Sequence, residues 1–438
     1  MSFGFFTHNI DLTGGVSPCT WIPPDPDVDI IAEAIYTDTS TTHSETNYYF
    51  GTLTSFGTAA LCQASGRRMV TCPDVTIPTP VFTVHDNALP LDPYYLANGT
   101  TDYLQITSFQ RFNNAWYCHM NGAWIGRTNP INDNAYVGYS SDGVSWTVQS
   151  WTYKDGNGVP RVGRGNLNGR YTQRGMIWEG DSGSQRLVSD GRWQASQDWA
   201  GAYPAGTNSN SLTVAAYSAW IGGSPQGANL YDWGAWKTNA NSYALLPLAS
   251  GGYYRAWKSA SGSAWMTSHY LDYNLDVVNS SGGTVNWLNG NSGKNNMVVG
   301  EDTVLIFRDD STTYVWDKSL SGTAEYPYVT LPSYYASGNV VQRNMWNGYH
   351  WMVSSFNTGT TELYTNYTVS EYPTALNAGP NVVLPSTHTG NATHRAMCNI
   401  QHVRDNIWIG FYRDTSFRTV IFRFTYGTYT GDCVWSGD

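Results

Sequence analysis

Short runs rich in aromatic and β-branched residues recur through residues 46–438, and Gly, Asn, Asp and Ser separate them. The recurring runs used as anchors lie at 135–140, 186–189, 228–233, 273–278, 312–317, 361–366 and 418–424. They start roughly 47 residues apart, which is close to the ~40–50 residues of a four-stranded propeller blade. The run before most anchors is strongly apolar, as expected of an inner strand covered on both faces.

The composition favours strands joined by tight turns. The chain has 44 Gly, 31 Tyr and 19 Trp; aromatic side chains fit a pleated surface, and Gly supplies the positive φ of short hairpins. We therefore predict an all-β protein of antiparallel four-stranded blades, a β-propeller with seven blades as the preferred count. Residues 46–100 form either an eighth unit or strands that join the two ends. A pair of β-sandwiches and a β-helix are the alternatives, although β-helix coils repeat at shorter intervals.

The N-terminal region differs from the rest. Residues 1–66 contain seven acidic residues and no Lys or Arg, in a chain of net charge −10. Residues 29–36 form one short helix-compatible stretch. We predict an acidic N-terminal arm or docking segment at 1–45 and a propeller domain at 46–438. The acidic run at 25–29 lacks the glycine turn and the distant glutamate of a calcium loop, so no metal site is predicted there.

Composition also limits the classes of binding partner and the cellular location that are expected for the protein. Only 13% of residues are charged, against an average of about 25%. No basic patch favours nucleic acid, and no apolar window is long enough to span a membrane as a helix. The first 15 residues do not resemble a secretory signal. A virion protein made in a host cytoplasm reconciles these features, and an extracellular location is the alternative.

The cysteine and histidine patterns predict neither a cofactor nor a metal. None of the six cysteines forms a C-x-x-C pair, and the nine histidines lack metal-ligand spacing. Cys62 and Cys72 flank a hairpin-like run and are candidates for one bridge. Cytoplasmic synthesis instead favours mostly reduced, buried thiols. His394 and His402 are interpreted as structural residues.

One turn motif carries a resemblance. Residues 140–147 read Ser-Ser-Asp-Gly-Val-Ser-Trp-Thr, which resembles the Asp-box hairpin of sialidase-like propellers, Ser-x-Asp-x-Gly-x-Thr-Trp, with one residue fewer. The resemblance implies that Ser140, Asp142, Gly143 and Trp146 hold a turn: the Asp accepts backbone N–H groups, the Gly takes a positive φ and the Trp packs beneath. Weaker echoes occur at Asp190, Gly191 and Trp193, and at 232–236 and 281–287.

Shortened boxes, Tyr- and Trp-rich blades and the lack of a signal together resemble tail and fibre proteins of bacteriophages. That resemblance implies a non-enzymatic structural protein of the virion, such as a tail-tip, nozzle or fibre-adaptor component. The N-terminal arm is then expected to contact other virion proteins. A homo-oligomeric ring is expected as well, and the blades are expected to contact host-surface glycans.

Two alternative functions depend on carbohydrate. A lectin-like module would stack sugars on exposed tryptophans, for which the candidates are Trp151, Trp199, Trp233 and Trp236, although packing between blades explains such residues as well. A glycoside hydrolase needs two carboxylates about 5–10 Å apart. The candidate carboxylates at strand ends are Glu179, Asp181, Asp198, Glu301 and Asp302.

No catalytic residue is predicted. The sialidase Arg-Ile-Pro signature is absent from the sequence. The serine-protease-like Gly-Asp-Ser-Gly at 180–183 has no matching catalytic histidine context upstream, and a turn between strands explains it without chemistry.

Overall fold

The structure of the protein is a computed structural model. The residues that it describes are 18–39, 53–64, 66–91, 104–112, 115–122, 135–150, 152–154, 160–162, 177–179, 186–192, 215–221, 240–248, 252–259, 265–271, 277–280, 296–299, 303–307, 313–317, 328–329, 341–356, 360–387, 399–416 and 418–435. All secondary-structure elements in these ranges are β-strands, and none is a helix that could cross a membrane.

Three strands precede the first full sheet. They are β1 (Thr20–Ile22), β2 (Ile30–Ile31) and β3 (Glu33–Thr37). The first sheet contains β4 (Leu53–Phe56), β5 (Ala59–Gln63), β6 (Met69–Cys72) and β7 (Thr83–His85). The second contains β8 (Leu104–Phe112), β9 (Ala115–Gly122), β10 (Ala135–Ser140) and β11 (Thr147–Ser150).

The middle of the chain continues as meanders. The short strands are β12 (Thr152–Lys154), β13 (Pro160–Val162), β14 (Ile177–Glu179), β15 (Arg186–Arg192) and β16 (Ala215–Ile221). A four-stranded sheet follows, with β17 (Ala240–Leu248), β18 (Gly252–Ser259), β19 (Trp265–Leu271) and β20 (Val277–Ser280). The next four-stranded sheet contains β21 (Asn296–Val299), β22 (Thr303–Phe307), β23 (Thr313–Asp317) and β24 (Tyr328–Val329).

Two sheets near the C-terminus include strands from the N-terminal region. One contains β25 (Val341–Trp346), β26 (Trp351–Phe356), β27 (Glu362–Thr368), β28 (Asn377–Ala378) and β29 (Val382–Val383), and β2 pairs with β29 at its edge. The other contains β30 (Asn399–Arg404), β31 (Ile407–Arg413) and β32 (Thr419–Thr425), and β3 is its fourth strand. The last strand, β33 (Thr428–Thr430), pairs with β1.

The sheets are arranged as the blades of a β-propeller. Apart from β2 with β29, the strand pairs described are antiparallel. The first strands of successive sheets lie side by side: β21 contacts β25, β25 contacts β30, β30 contacts β4, and β4 contacts β8. Such a radial arrangement covers both faces of each sheet with its neighbours. The all-β antiparallel prediction is confirmed, whereas seven blades remain a prediction.

Most anchor runs that the structure describes were assigned correctly as third strands. Those at 135–140, 312–317, 361–366 and 418–424 coincide with β10, β23, β27 and β32. The run at 186–189 lies in β15, the middle strand of three, and 228–233 lies outside the described residues. The assignment at 273–278 was wrong, because β19 is the third strand and β20 the fourth. The sequences of β19 and β20 are both strand-like, so the spacing alone does not show which of the two is the third strand.

The N-terminal region is part of the propeller where the structure describes it. Residues 29–36 were expected to be compatible with a helix, but they form β2 and β3. A helix of this length is marginal alone, whereas pairing with β29 and β32 satisfies the backbone N–H and C=O groups. The predicted boundary at residue 45 therefore does not separate residues 18–39 from the propeller. Residues 1–17 and 40–45 lie outside the described part.

The described core lies between neighbouring sheets. One cluster joins Leu53 and Cys62 of the first sheet to Phe411 and Ile421 of the last. A second cluster joins the first two sheets, and a third joins the last two sheets to Trp21 of β1. Burial between adjacent sheets is the main apolar stabilisation that a propeller provides, and here it extends across the two ends of the chain.

Candidate functional site

The predicted turn at 140–146 connects β10 to β11. Asp142 Oδ1 accepts the backbone N–H groups of Val144 and Ser145 at 2.8 and 2.7 Å, and the hydroxyl of Ser140 at 2.8 Å. The Trp146 indole N–H donates to the Gly143 carbonyl at 3.1 Å. Although desolvation opposes it, these hydrogen bonds to the charged form lower the pKa of Asp142 to about 2.

Gly143 joins this turn to the neighbouring sheet. Its φ is +78°, a conformation that L side chains rarely adopt. A Cβ at this position would lie 3.2 Å from Leu61 of the first sheet and 3.4 Å from the indole nitrogen of Trp116. The turn therefore lies close against Leu61 of the neighbouring sheet, and the polar groups of Ser140 and Asp142 fix the backbone of the turn itself.

Other predicted site residues are not brought together. Asp190 and Gly191 lie inside β15, opposite Tyr217 and Ala216, so the predicted turn at these two positions was wrong. Pairing with β16 continues through Arg192, and a Ser-Asp-Gly echo is too weak a signal to end a strand. The remaining predicted tryptophans lie outside the described residues: Trp151, Trp193, Trp199, Trp233 and Trp236.

The candidate carboxylates are untested as a pair. The backbone of Glu179 ends β14, and no side chain there is described. Asp181, Asp198, Glu301 and Asp302 lie outside the described residues, as do residues 180–183 and His394. In the part of the chain that the structure describes, no three His, Cys, Asp or Glu side chains are grouped as metal ligands.

The two ends of the chain are joined by a feature that the sequence did not predict. β1 and β33 pair, and a disulfide links Cys19 to Cys433 across 414 residues. We call residues 18–22 and 428–435 the terminal ribbon. Cys62, Cys72 and Cys118 are free thiols in the core, so the candidate Cys62–Cys72 bridge was wrong. Across the paired strands β5 and β6, Cys62 faces Val70 and Cys72 faces Ala60, so the two cysteines do not face each other.

The terminal ribbon covers two buried histidines. Trp21 stacks on His350 with ring centroids 3.7 Å apart and planes 7° from parallel. His402 lies 4.7 Å from the ring of Trp435 and 5.9 Å from that of Tyr429. Burial lowers the pKa of His402 to about 4, and it lowers the pKa of His350 well below the usual value. Both imidazoles are therefore neutral at physiological pH.

A second polar cluster lies between β3 and the first sheet. Arg68 bridges two carboxylates at 2.7 Å, that of the buried Asp38 and that of the largely exposed Asp86. Burial and the Asp38 carboxylate raise the pKa of the Tyr36 hydroxyl. On the adjacent sheet, Arg418 pairs with the buried Asp414 at 2.6 Å. The Arg68–Asp38 pair therefore joins the first sheet to the end of β3, whereas the Arg418–Asp414 pair lies within the connection between β31 and β32.

The segment between β1 and β3 is held at both ends and exposed between them. Ile22, Val28 and Ile31 are 50%, 59% and 73% exposed. Three exposed aspartates lie among these apolar residues, at positions 25, 27 and 29. We call residues 22–31 the exposed strip. The structure thus presents apolar and acidic side chains together on a short segment fixed to the propeller.

Comparison with known proteins gives similarity in architecture alone. No protein-family model matches the chain, and no curated protein matches it. Among solved structures, it is similar to an α-L-arabinanase of Penicillium chrysogenum, with 8% identity and a TM-score of 0.42 over 91% of this chain and 98% of that one. It is also similar to the Swd1 β-propeller domain of Myceliophteria thermophila, with 10% identity and a TM-score of 0.43 over 89% and 99%.

A third similar structure is prolyl oligopeptidase B of Galerina marginata, with 9% identity and a TM-score of 0.43 over 89% of this chain and 52% of that one. Similarities this low assign neither an activity nor a substrate. The propeller assignment depends on the strand pairing described above.

Proposed function

We propose that this chain is a non-enzymatic structural protein of a virion tail, and that the exposed strip docks it to a neighbouring virion protein. The observation that carries the docking proposal is the presence of exposed Ile22, Val28 and Ile31 on one short segment with three exposed aspartates. Exposed apolar side chains that are rimmed by charge are typical of protein–protein contact sites.

The way in which the strip is held supports this assignment. β1 and the Cys19–Cys433 disulfide fix it on one side, and the pairing of β2 and β3 fixes it on the other. A partner that binds a segment held in this way orders little additional chain, which lowers the entropic cost of association.

Charge supports a cationic partner rather than a second copy of the same strip. The whole chain carries −10, and residues 1–66 contribute acidic side chains without a Lys or Arg. Two such strips face to face would repel each other. A neighbouring protein with an apolar patch rimmed by Lys or Arg would complement the strip. A homo-oligomeric ring and contact with host-surface glycans belong to the same proposal and involve other surfaces.

The test measures how much of the chain is incorporated into purified particles of the virus that encodes it. The strip variant carries Ile31→Ser with Asp27→Asn, and the matched control is Val81→Ser, which removes another apolar side chain that is 66% exposed. Burying one isoleucine is worth about 1.5–3 kcal/mol, so the strip variant should be incorporated at least about tenfold less. The control should be incorporated like the parent chain.

Three results would contradict the proposal. Equal incorporation of the strip variant and the control would show that the exposed strip does not dock the chain. Absence of the chain from purified particles would remove the virion role. Glycan hydrolysis by the purified chain would replace the non-enzymatic assignment.

A further inference from the structure

Each of the two buried histidines is covered by an aromatic ring of the terminal ribbon. His350 lies in the turn between β25 and β26, and His402 lies in β30 of the adjacent sheet. Trp21 of β1 covers the first ring, and Trp435, which follows β33, covers the second. Tyr429 of β33 lies about midway, 6.1 and 5.9 Å from the two imidazoles. Movement of the ribbon would therefore expose both rings to water.

Hydrogen bonds at His350 favour one neutral form of its ring. The Asn347 amide donates to the Tyr429 hydroxyl at 2.6 Å, which leaves the hydroxyl proton for His350 Nδ1 at 3.2 Å. From this network we assign Nδ1 as the acceptor and place the ring proton on Nε2. A second proton on Nδ1 would remove that acceptor. Nε2 is itself buried without a partner, so a charged ring would be poorly solvated.

The groups that face the two imidazoles offer little compensation for a positive charge. Burial raises the pKa of the Tyr429 hydroxyl on β33, so this group stays neutral beside the imidazoles. The indole face of Trp21 attracts a cation, yet burial still dominates at His350. Next to His402, Asp405 accepts from Nε2 through its backbone carbonyl at 2.7 Å, and its exposed carboxylate lies 3.5 Å from Arg404. A charge on His402 also disfavours a charge on His350.

We propose that the terminal ribbon is an acid-sensitive lid, which lies closed over His350 and His402 at neutral pH and lifts when these imidazoles take up protons. The disulfide keeps β1 and β33 together, so the two strands lift as one unit. Lifting exposes Trp21, Tyr429 and Trp435 beside the exposed strip. This inference does not depend on the proposed function.

The direction and size follow from the histidine pKa values. The pKa of His402 is about 4 in the closed form, against 6.5 for an exposed histidine. A lowered pKa means that the closed form is favoured fully above pH 6.5 and progressively less as the pH falls toward 4. For His402 alone, acidification from pH 8 to pH 5 raises the opening equilibrium constant by about 30-fold. His350 adds to this effect in the same direction.

The experiment is hydrogen–deuterium exchange of the full chain between pH 8 and pH 4.5, corrected for the intrinsic pH dependence of exchange. We expect opening of residues 18–22 and 428–435 to increase by at least about 30-fold, with β5 and β6 of the first sheet unchanged. The double variant His350→Gln/His402→Gln should lose this dependence. The matched control His85→Gln, in β7 of the first sheet, should retain it.

The proposal is overturned if ribbon exchange is the same at pH 8 and pH 5, or if the dependence survives in the double variant. If the double variant does not fold, NMR titration of the histidine rings in the parent chain decides instead. Proton uptake by both rings together with ribbon opening supports the lid. Titration near pH 6.5 with the ribbon still closed refutes it.

Discussion

Removing the Cys19–Cys433 disulfide should destabilise the chain by several kcal/mol. The perturbation is the double variant Cys19→Ser/Cys433→Ser. The bridge spans 414 residues, and for a loop of this length the chain-entropy relation gives about 20 cal/mol/K, or about 6 kcal/mol at 25 °C. Native disulfides contribute about 2–5 kcal/mol when measured, so we expect a loss of about 3–6 kcal/mol.

The melting temperature converts this loss into a measurable shift. An unfolding entropy of about 2.1 cal/mol/K per residue amounts to about 0.9 kcal/mol/K for this chain, so Tm should fall by about 3–7 °C. Differential scanning calorimetry with and without a reductant measures it. Reductant should lower Tm of the parent chain to that of the variant and leave the variant unchanged. An unchanged Tm in the variant would refute the view that the bridge constrains the unfolded chain.

Three further predictions concern turns and ion pairs. Gly143→Ala should lower the free energy of unfolding by about 1–3 kcal/mol through backbone strain and a close contact with Leu61. Gly57→Ala, at φ +54° with no atom near the added Cβ, should lower it by less. Calorimetry compares the two variants, and equal losses would show that the contact with Leu61 contributes nothing. Arg68→Ala should cost about 1–3 kcal/mol because it removes one ion-pair partner of the buried Asp38 carboxylate. Asp86→Ala should cost at most about 1 kcal/mol since that side chain is 69% exposed. Urea unfolding measures both losses, and the reverse order would argue against the burial argument. The Asp142 carboxylate should stabilise the turn fully above pH 3.8 and lose this contribution as the pH falls toward its folded pKa of about 2. An acid titration of its carboxyl NMR signal measures that pKa. A pKa near 3.8 would contradict the proposed role of its hydrogen bonds to the turn backbone.

The sequence by itself determined the class of fold and much of the strand order. Aromatic and β-branched runs between turn residues predict paired strands because their side chains fit a pleated surface, and this local preference appears in β10, β23, β27 and β32. The turn at Asp142 and Gly143 was also readable, since its hydrogen bonds join residues within five positions of each other. Local chemistry of this kind needs no knowledge of the distant chain.

Tertiary structure alone decided how the two ends meet. Residues 29–36 became strands because β29 and β32 offered pairing partners more than 340 residues away. Cys19 found Cys433, rather than Cys62 finding Cys72, for the same reason. Burial lowers the pKa values of His350 and His402, and rings from both ends of the chain contribute to that burial. Such contacts depend on closing very long loops, and a pattern read along the sequence carries no record of which distant segments will be neighbours.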